Sequence, residues 1–135
     1  MDESPRRAGS TPYPGTRMSL LDNTQLALES AMSGSMMRQS LLTNDLANAN
    51  TPGFKPEDVN FQQTLSSAMA EGQSPSTVNY TPYVENVTNS QDGNGVDSDT
   101  VNADIAENGL LYQDFTQIVA AREGILQTAL NTSAG

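Results

Sequence analysis

Along the first third of the chain, Leu28, Met32, Ser35, Gln39, Leu42, Leu46 and Ala49 follow one another at alternating intervals of four and three. That alternation returns to the same side of a helix on each turn, and it predicts a helix over 19–50. Ser19 with Asp22 three residues later resembles a capping box, the acid favouring the positive end of the helix. A second series runs Val101, Ile105, Asn108, Tyr112, Phe115, Val119, Arg122, Leu126 and Ala129, and Leu111, Ile118 and Ile125 widen it. Sustained over roughly four heptads, it predicts a helix over 97–131 with Asp97 or Ser98 as N-cap and Asp99 in the first turn. Each helix has roughly 30 residues and therefore a length of about 45 Å.

The pattern between them is different. Pro52 lacks an N–H and biases Thr51 toward an extended conformation, and Gly53 tolerates positive φ, so the first helix must stop there. Pro56 keeps the chain extended. Val78–Tyr80 and Tyr83–Val87 read as two short strands turning at Thr81-Pro82, and 72–77, GQSPST, reads as a flexible tip. The expected fold is mainly α: two long terminal amphipathic helices forming an antiparallel coiled-coil-like hairpin, with an irregular or short β-hairpin insert over 51–96. Residues 1–18, with three prolines and no periodicity, read as a disordered tail, and 132–135 as a second tail. The helical pattern starts immediately after Met18, which makes that residue a candidate translation start.

Composition says how the stripes must be covered. Of 135 residues, 36% are hydrophobic and 5% aromatic, without Trp, so little apolar area offsets the entropy of ordering the chain. Ser35, Gln39, Asn108 and Arg122 also interrupt the stripes and would be costly if buried without partners. Many copies packed side by side would cover what two helices leave open. The packing residues expected on this basis are Leu28, Met32, Leu42, Leu46, Val101, Ile105, Tyr112, Phe115, Ile118, Val119 and Leu126.

Charge and residue types exclude several functions. The net charge is −10, and three of the six basic residues, Arg6, Arg7 and Arg17, lie in the tail. No basic stripe exists to neutralise phosphates, which excludes nucleic acid as a partner. With neither Cys nor His, thiolate and His-based catalysis and nearly all zinc, copper and iron sites are excluded, and no cofactor is expected. No run approaches the roughly 20 apolar residues of a membrane span, so the chain is not read as an integral membrane protein. Nor is there an apolar segment of the kind a cleaved secretory signal requires.

The remaining candidate sites are weak. Asp92 to Asp99 suggests a calcium loop, but counted from Asp92 its fifth position is Val96 and its sixth Asp97, where an oxygen ligand and a glycine are required. A turn followed by a helix cap explains it better. Glu57-Asp58 and Asp97-Asp99 are carboxylate pairs, yet the chain has too few aromatic residues to wall a glycan cleft. Met32, Met36 and Met37 form an adaptable packing surface.

Asn48, Asn50, Thr51, Pro52, Gly53, Phe54 and Lys55, preceded by an amphipathic helix, closely resemble the signature of the bacterial flagellar rod and hook protein family, roughly A-N-x-N-T-P-G-[YF]-K. Helical heptads at both ends around a variable middle are similar to that family too. DGNGVDSD and ENGLLYQDFTQIV resemble its short proximal rod subunits. The resemblance spans residues 19–131. It implies a structural subunit and no enzyme, exported by the flagellar type III apparatus and assembled helically into the torque-transmitting periplasmic rod of the basal body. Its implied partners are copies of itself, the other rod subunits, the export apparatus and the adaptor at the membrane-embedded ring. Two rivals remain: a free coiled-coil adaptor or export chaperone, which would form a stable dimer and leave the turn unexplained, and a wall-cleaving enzyme, which would depend on its carboxylates.

Overall fold

A computed structural model describes residues 15–86 and 95–133, with side chains described from residue 23. The readings of the first 14 residues as a tail, of Val87 as strand, of Asp92 to Asn94 as a turn and of the last two residues lie outside the described part, as do the Ser19 and Asp22 side chains. Among the described residues, three helices and a small antiparallel sheet make up the fold. Helix α1 spans Gly15–Ala47 and α3 spans Ser98–Ser133; between them lie β1 (Glu57–Asp58), α2 (Phe61–Ala70), a 3-10 turn (Pro75–Thr77) and β2 (Tyr83–Val84). The helical backbone begins at Gly15, ahead of the start expected at Ser19.

The insert departs from expectation in two ways. First, it contains a ten-residue helix. Asn60 caps α2, its side chain accepting the Gln63 N–H at 3.2 Å, and Phe61, Leu65 and Ala68 turn inward together. The helix closes with two reverse hydrogen bonds, Gln73 N–H to Ala68 O and Gly72 N–H to Met69 O, with Gly72 at φ +80°. This is the Schellman pattern that satisfies the last carbonyls. Second, among the described residues the expected hairpin between Val78–Tyr80 and Tyr83–Val87 does not form. Tyr83 and Val84 pair instead with β1, in the register Glu57↔Val84 and Asp58↔Tyr83, and Val78 and Tyr80 pack against the core.

That core is small and centred on Phe61. It joins Ala31 of α1 and Leu65 of α2, with Val78, Tyr80 and Phe115 packed around them. The rings of Tyr80 and Phe115 meet Phe61 edge-on at 6.3 and 6.4 Å between centroids, a favoured aromatic geometry. Tyr80 is anchored at its far end by a 2.7 Å hydrogen bond to Ser30 Oγ.

Helices α1 and α3 run in opposite directions along one another. Ser35 meets Asn108, and one turn on, Arg38 approaches Asp104 at 3.9 Å. Three of the polar interruptions, Ser35, Gln39 and Asn108, satisfy each other. Asn108, 1% exposed, donates from Nδ2 to Ser35 O at 2.9 Å and to Gln39 Oε1 at 3.0 Å, while Ser35 Oγ donates to Asn108 Oδ1 at 3.2 Å. A buried polar group so partnered escapes the desolvation penalty of an orphaned one, and the set favours one alignment of the two helices.

Candidate functional site

The Asn-Thr-Pro-Gly motif makes a stepwise stop and a reversal. At the end of α1 the hydrogen bonds tighten from i−4 to i−3: Ala49 N–H to Leu46 O, then Thr51 N–H to Asn48 O. Asn48 holds this descent through Nδ2 to Asn44 O at 2.9 Å and accepts the Thr51 hydroxyl at 3.3 Å. Phe54 N–H then returns to Thr51 O at 3.2 Å, with Pro52 second and Gly53 third at φ +75°. This is the residue order of a type II turn. Asn50, Thr51, Pro52, Gly53 and Lys55 are exposed, whereas Asn48 and Phe54 are half-buried.

The reversal lays the following residues back along α1. Glu57 N–H donates to Asp45 Oδ1 at 3.1 Å. Asp58 takes both arms of Arg38, from Nε at 3.0 Å and Nη2 at 3.3 Å, a planar pairing that fixes orientation as well as charge. Burial works to lower the Arg38 pKa, but the hydrogen bond and charge of Asp58, with Asp104 and Glu107, raise it overall. Glu85 N–H closes the ladder onto Pro56 O at 2.9 Å. Burial, with the charges of Asp58 and Glu85, pushes the Tyr83 phenol up.

The two seams of the sequence stand out in the exposure pattern. On α1, Leu28, Met32, Gln39 and Leu46 are half-buried and Ser35 and Leu42 buried; on α3, Val101 and Asn108 are buried and Ile105, Tyr112, Phe115, Val119 and Arg122 half-buried. Leu42 and Val101 line one cleft where the helices meet. Toward its C-terminal end the stripe comes to the surface: Ile118 and Leu126 face outward, and Ile125 and Leu130 are 69% and 68% exposed.

Of the carboxylates weighed for acid–base work, Asp58 is held by Arg38. Asp97 caps α3, accepting from the Thr100 hydroxyl at 2.9 Å and the Asp99 N–H at 3.1 Å, and these bonds lower its pKa. Sequence reasoning missed Gly34, Asp45 and Phe61. Asp45 had a readable sign, an acid on the apolar side of α1 three residues after Leu42. Phe61 had another, since it follows a capping Asn and leads the i, i+4, i+7 series of α2.

The site is a helical pair carrying a compact insert, folded back by a tight turn and held by side chains engaged with one another. Known relatives make this specific, although no protein-family model matches the chain. The chain is 30% identical over 125 residues to flagellar basal body rod protein FlgB of Bacillus subtilis (strain 168), covering 84% of this chain and 97% of the relative. Similarity to FlgB of Yersinia enterocolitica is 28% over 127 residues, covering 78% and 93%. For FlgB of Cereibacter sphaeroides (strain ATCC 17023) it is 32% over 105 residues, covering 69% and 82%. The chain belongs to the FlgB family of flagellar basal body rod proteins. Among the described residues, no helix is long and apolar enough to cross a membrane.

Proposed function

We propose that this chain is a structural subunit of the proximal rod, exported by the flagellar type III apparatus and assembled helically with copies of itself and other rod subunits in the periplasmic part of the basal body. Neighbours then include the adaptor at the membrane-embedded ring. Kinship with FlgB supports the setting. The observation that carries the assembly step is the uncovered end of α3, where Ile118, Ile125, Leu126 and Leu130 stand exposed. Burying one such side chain contributes about 1.5–3 kcal/mol, and partners that bind only the ordered form add that stability by mass action.

In this reading, α1 and α3 form a coiled-coil-like hairpin whose proximal half is closed by the insert and whose distal half is closed by neighbours. Thr51 to Phe54 set the direction in which the chain leaves the helical layer. Neither a cofactor nor catalysis takes part.

Deleting the gene in its native bacterium, with complementation, tests the proposal. Loss of swimming, restoration by the wild-type chain, and recovery of the chain in purified basal bodies are expected. Leu126→Asp combined with Ile118→Asp, at exposed positions, should fail to restore swimming while the purified variant melts like the wild type. Normal motility of the deletion strain, or absence of the chain from basal bodies, would overturn the reading.

A further inference from the structure

Where α1, the β1–β2 ladder and the start of α3 converge, a cleft of about 290 Å³ is lined by Asp45, Pro56, Glu85, Asp97 and Asp104. Its charges are one-sided. From α1 come Arg38 and Asp45; from β1, Glu57 and Asp58; from β2 and the residue after it, Tyr83 and Glu85; from α3, Asp97, Asp104 and Glu107. Arg38 is engaged by Asp58 and approaches Asp104. Lys55 is exposed and makes no ion pair among the described residues. Asp45 is 2% exposed, and its bond from Glu57 N–H ties the strand to the helix.

We propose that this junction is a proton-responsive clasp: uptake of protons by Asp45 and Glu85 tightens the ladder onto the helical pair, and their ionisation loosens it. The geometry permits this because a protonated Asp45 keeps an oxygen to accept the Glu57 N–H. The tie survives and the repulsion among neighbouring carboxylates falls. Burial, foremost, raises the Asp45 pKa, and the charges of Asp58 and Glu57 add to it against the Glu57 N–H. Burial also leads in raising Glu85, with Asp58, Asp45 and Asp104 adding and Arg38 opposing.

The sign follows from linkage. For an acid raised on folding, the folded form binds more protons across the window above the ordinary carboxylate range, so docking strengthens as pH falls through the raised pKa and weakens as it rises. This holds whether or not the chain assembles.

Hydrogen exchange of the Glu57 and Glu85 amides in the full chain, followed from neutral pH down toward the isoelectric point near 4.1, tests the clasp. After correction for intrinsic exchange, wild-type protection should rise severalfold toward acid. Asp45→Asn, which retains the acceptor, with Glu85→Gln should give high and flat protection. Flat or falling protection in the wild type, or a wild-type slope in the double variant, would overturn the proposal. Should Asp45→Asn not fold, Glu85→Gln alone decides, since an undiminished slope there refutes the clasp.

Discussion

Phe61 lies against the backbone of Gly34. A methyl group placed on Gly34 would sit 2.5 Å from Phe61 Cβ and 2.7 Å from Cγ, distances no packed pair of carbons adopts. The helix is notched so that the root of an aromatic side chain can enter. Ala is intrinsically better in a helix than Gly by about 1 kcal/mol, but the atoms met here belong to the rigid base of the side chain, and overpacking typically costs about 1–3 kcal/mol. Gly34→Ala is therefore expected to destabilise the chain, lowering the urea midpoint without changing the slope.

Asn108 gives a prediction with an internal control. Asn108→Ala leaves Gln39 Oε1 and Ser35 Oγ short of a partner at a buried site and should cost about 1–3 kcal/mol. Replacing both ends of the Ser35–Asn108 bond, Ser35→Ala with Asn108→Leu, removes the orphaned hydroxyl and fills the space, and the half-buried Gln39 side chain can turn to water. Most of the lost stability should return, measured by urea unfolding.

For Asp97 the dependence on pH has the opposite sign to the clasp. Its depressed pKa means that the cap is fully present above the ordinary value of 3.8 and is lost as pH falls through the lower folded value. Asp97→Ala should speed exchange of the Asp99 and Val101 amides at neutral pH. The difference from wild type should shrink in acid as the Asp97 carboxylate itself protonates.

Gly53 tests the reversal separately from packing, because nothing lies within 4 Å of the position its Cβ would take. With φ at +75°, any penalty is backbone strain, of the order of 1–3 kcal/mol. Gly53→Val should impair rod assembly and swimming while leaving export largely intact. Gly53→Asn, which tolerates the left-handed region, should swim better than Gly53→Val in the same soft-agar assay.

The long helices were legible because a period of three and four repeated over many turns outlasts local noise. The same arithmetic, applied to Phe61, Leu65 and Ala68 between Asn60 and Gly72, would have found α2, but Ser, Thr and Gln fill the intervening places and make the segment look like loop. β2 was visible within Tyr83–Val87 but with the wrong partner, whereas β1 had no local sign: a two-residue strand paired across about 25 residues exists because Asp45 and Arg38 hold it in place. Ser35, Gln39 and Asn108 were visible as a difficulty, yet sequence could not say that they solve it together. Gly34 gave no signal, since a notch is defined by what fills it.

The bond from Glu57 N–H to Asp45 makes residues 45–57 a closed ring of chain whose circumference is set by the turn. One residue added inside that ring would shift Asp58 out of step with Arg38 and carry Phe61 off Gly34. Length variation should therefore not be tolerated between Leu46 and Pro56.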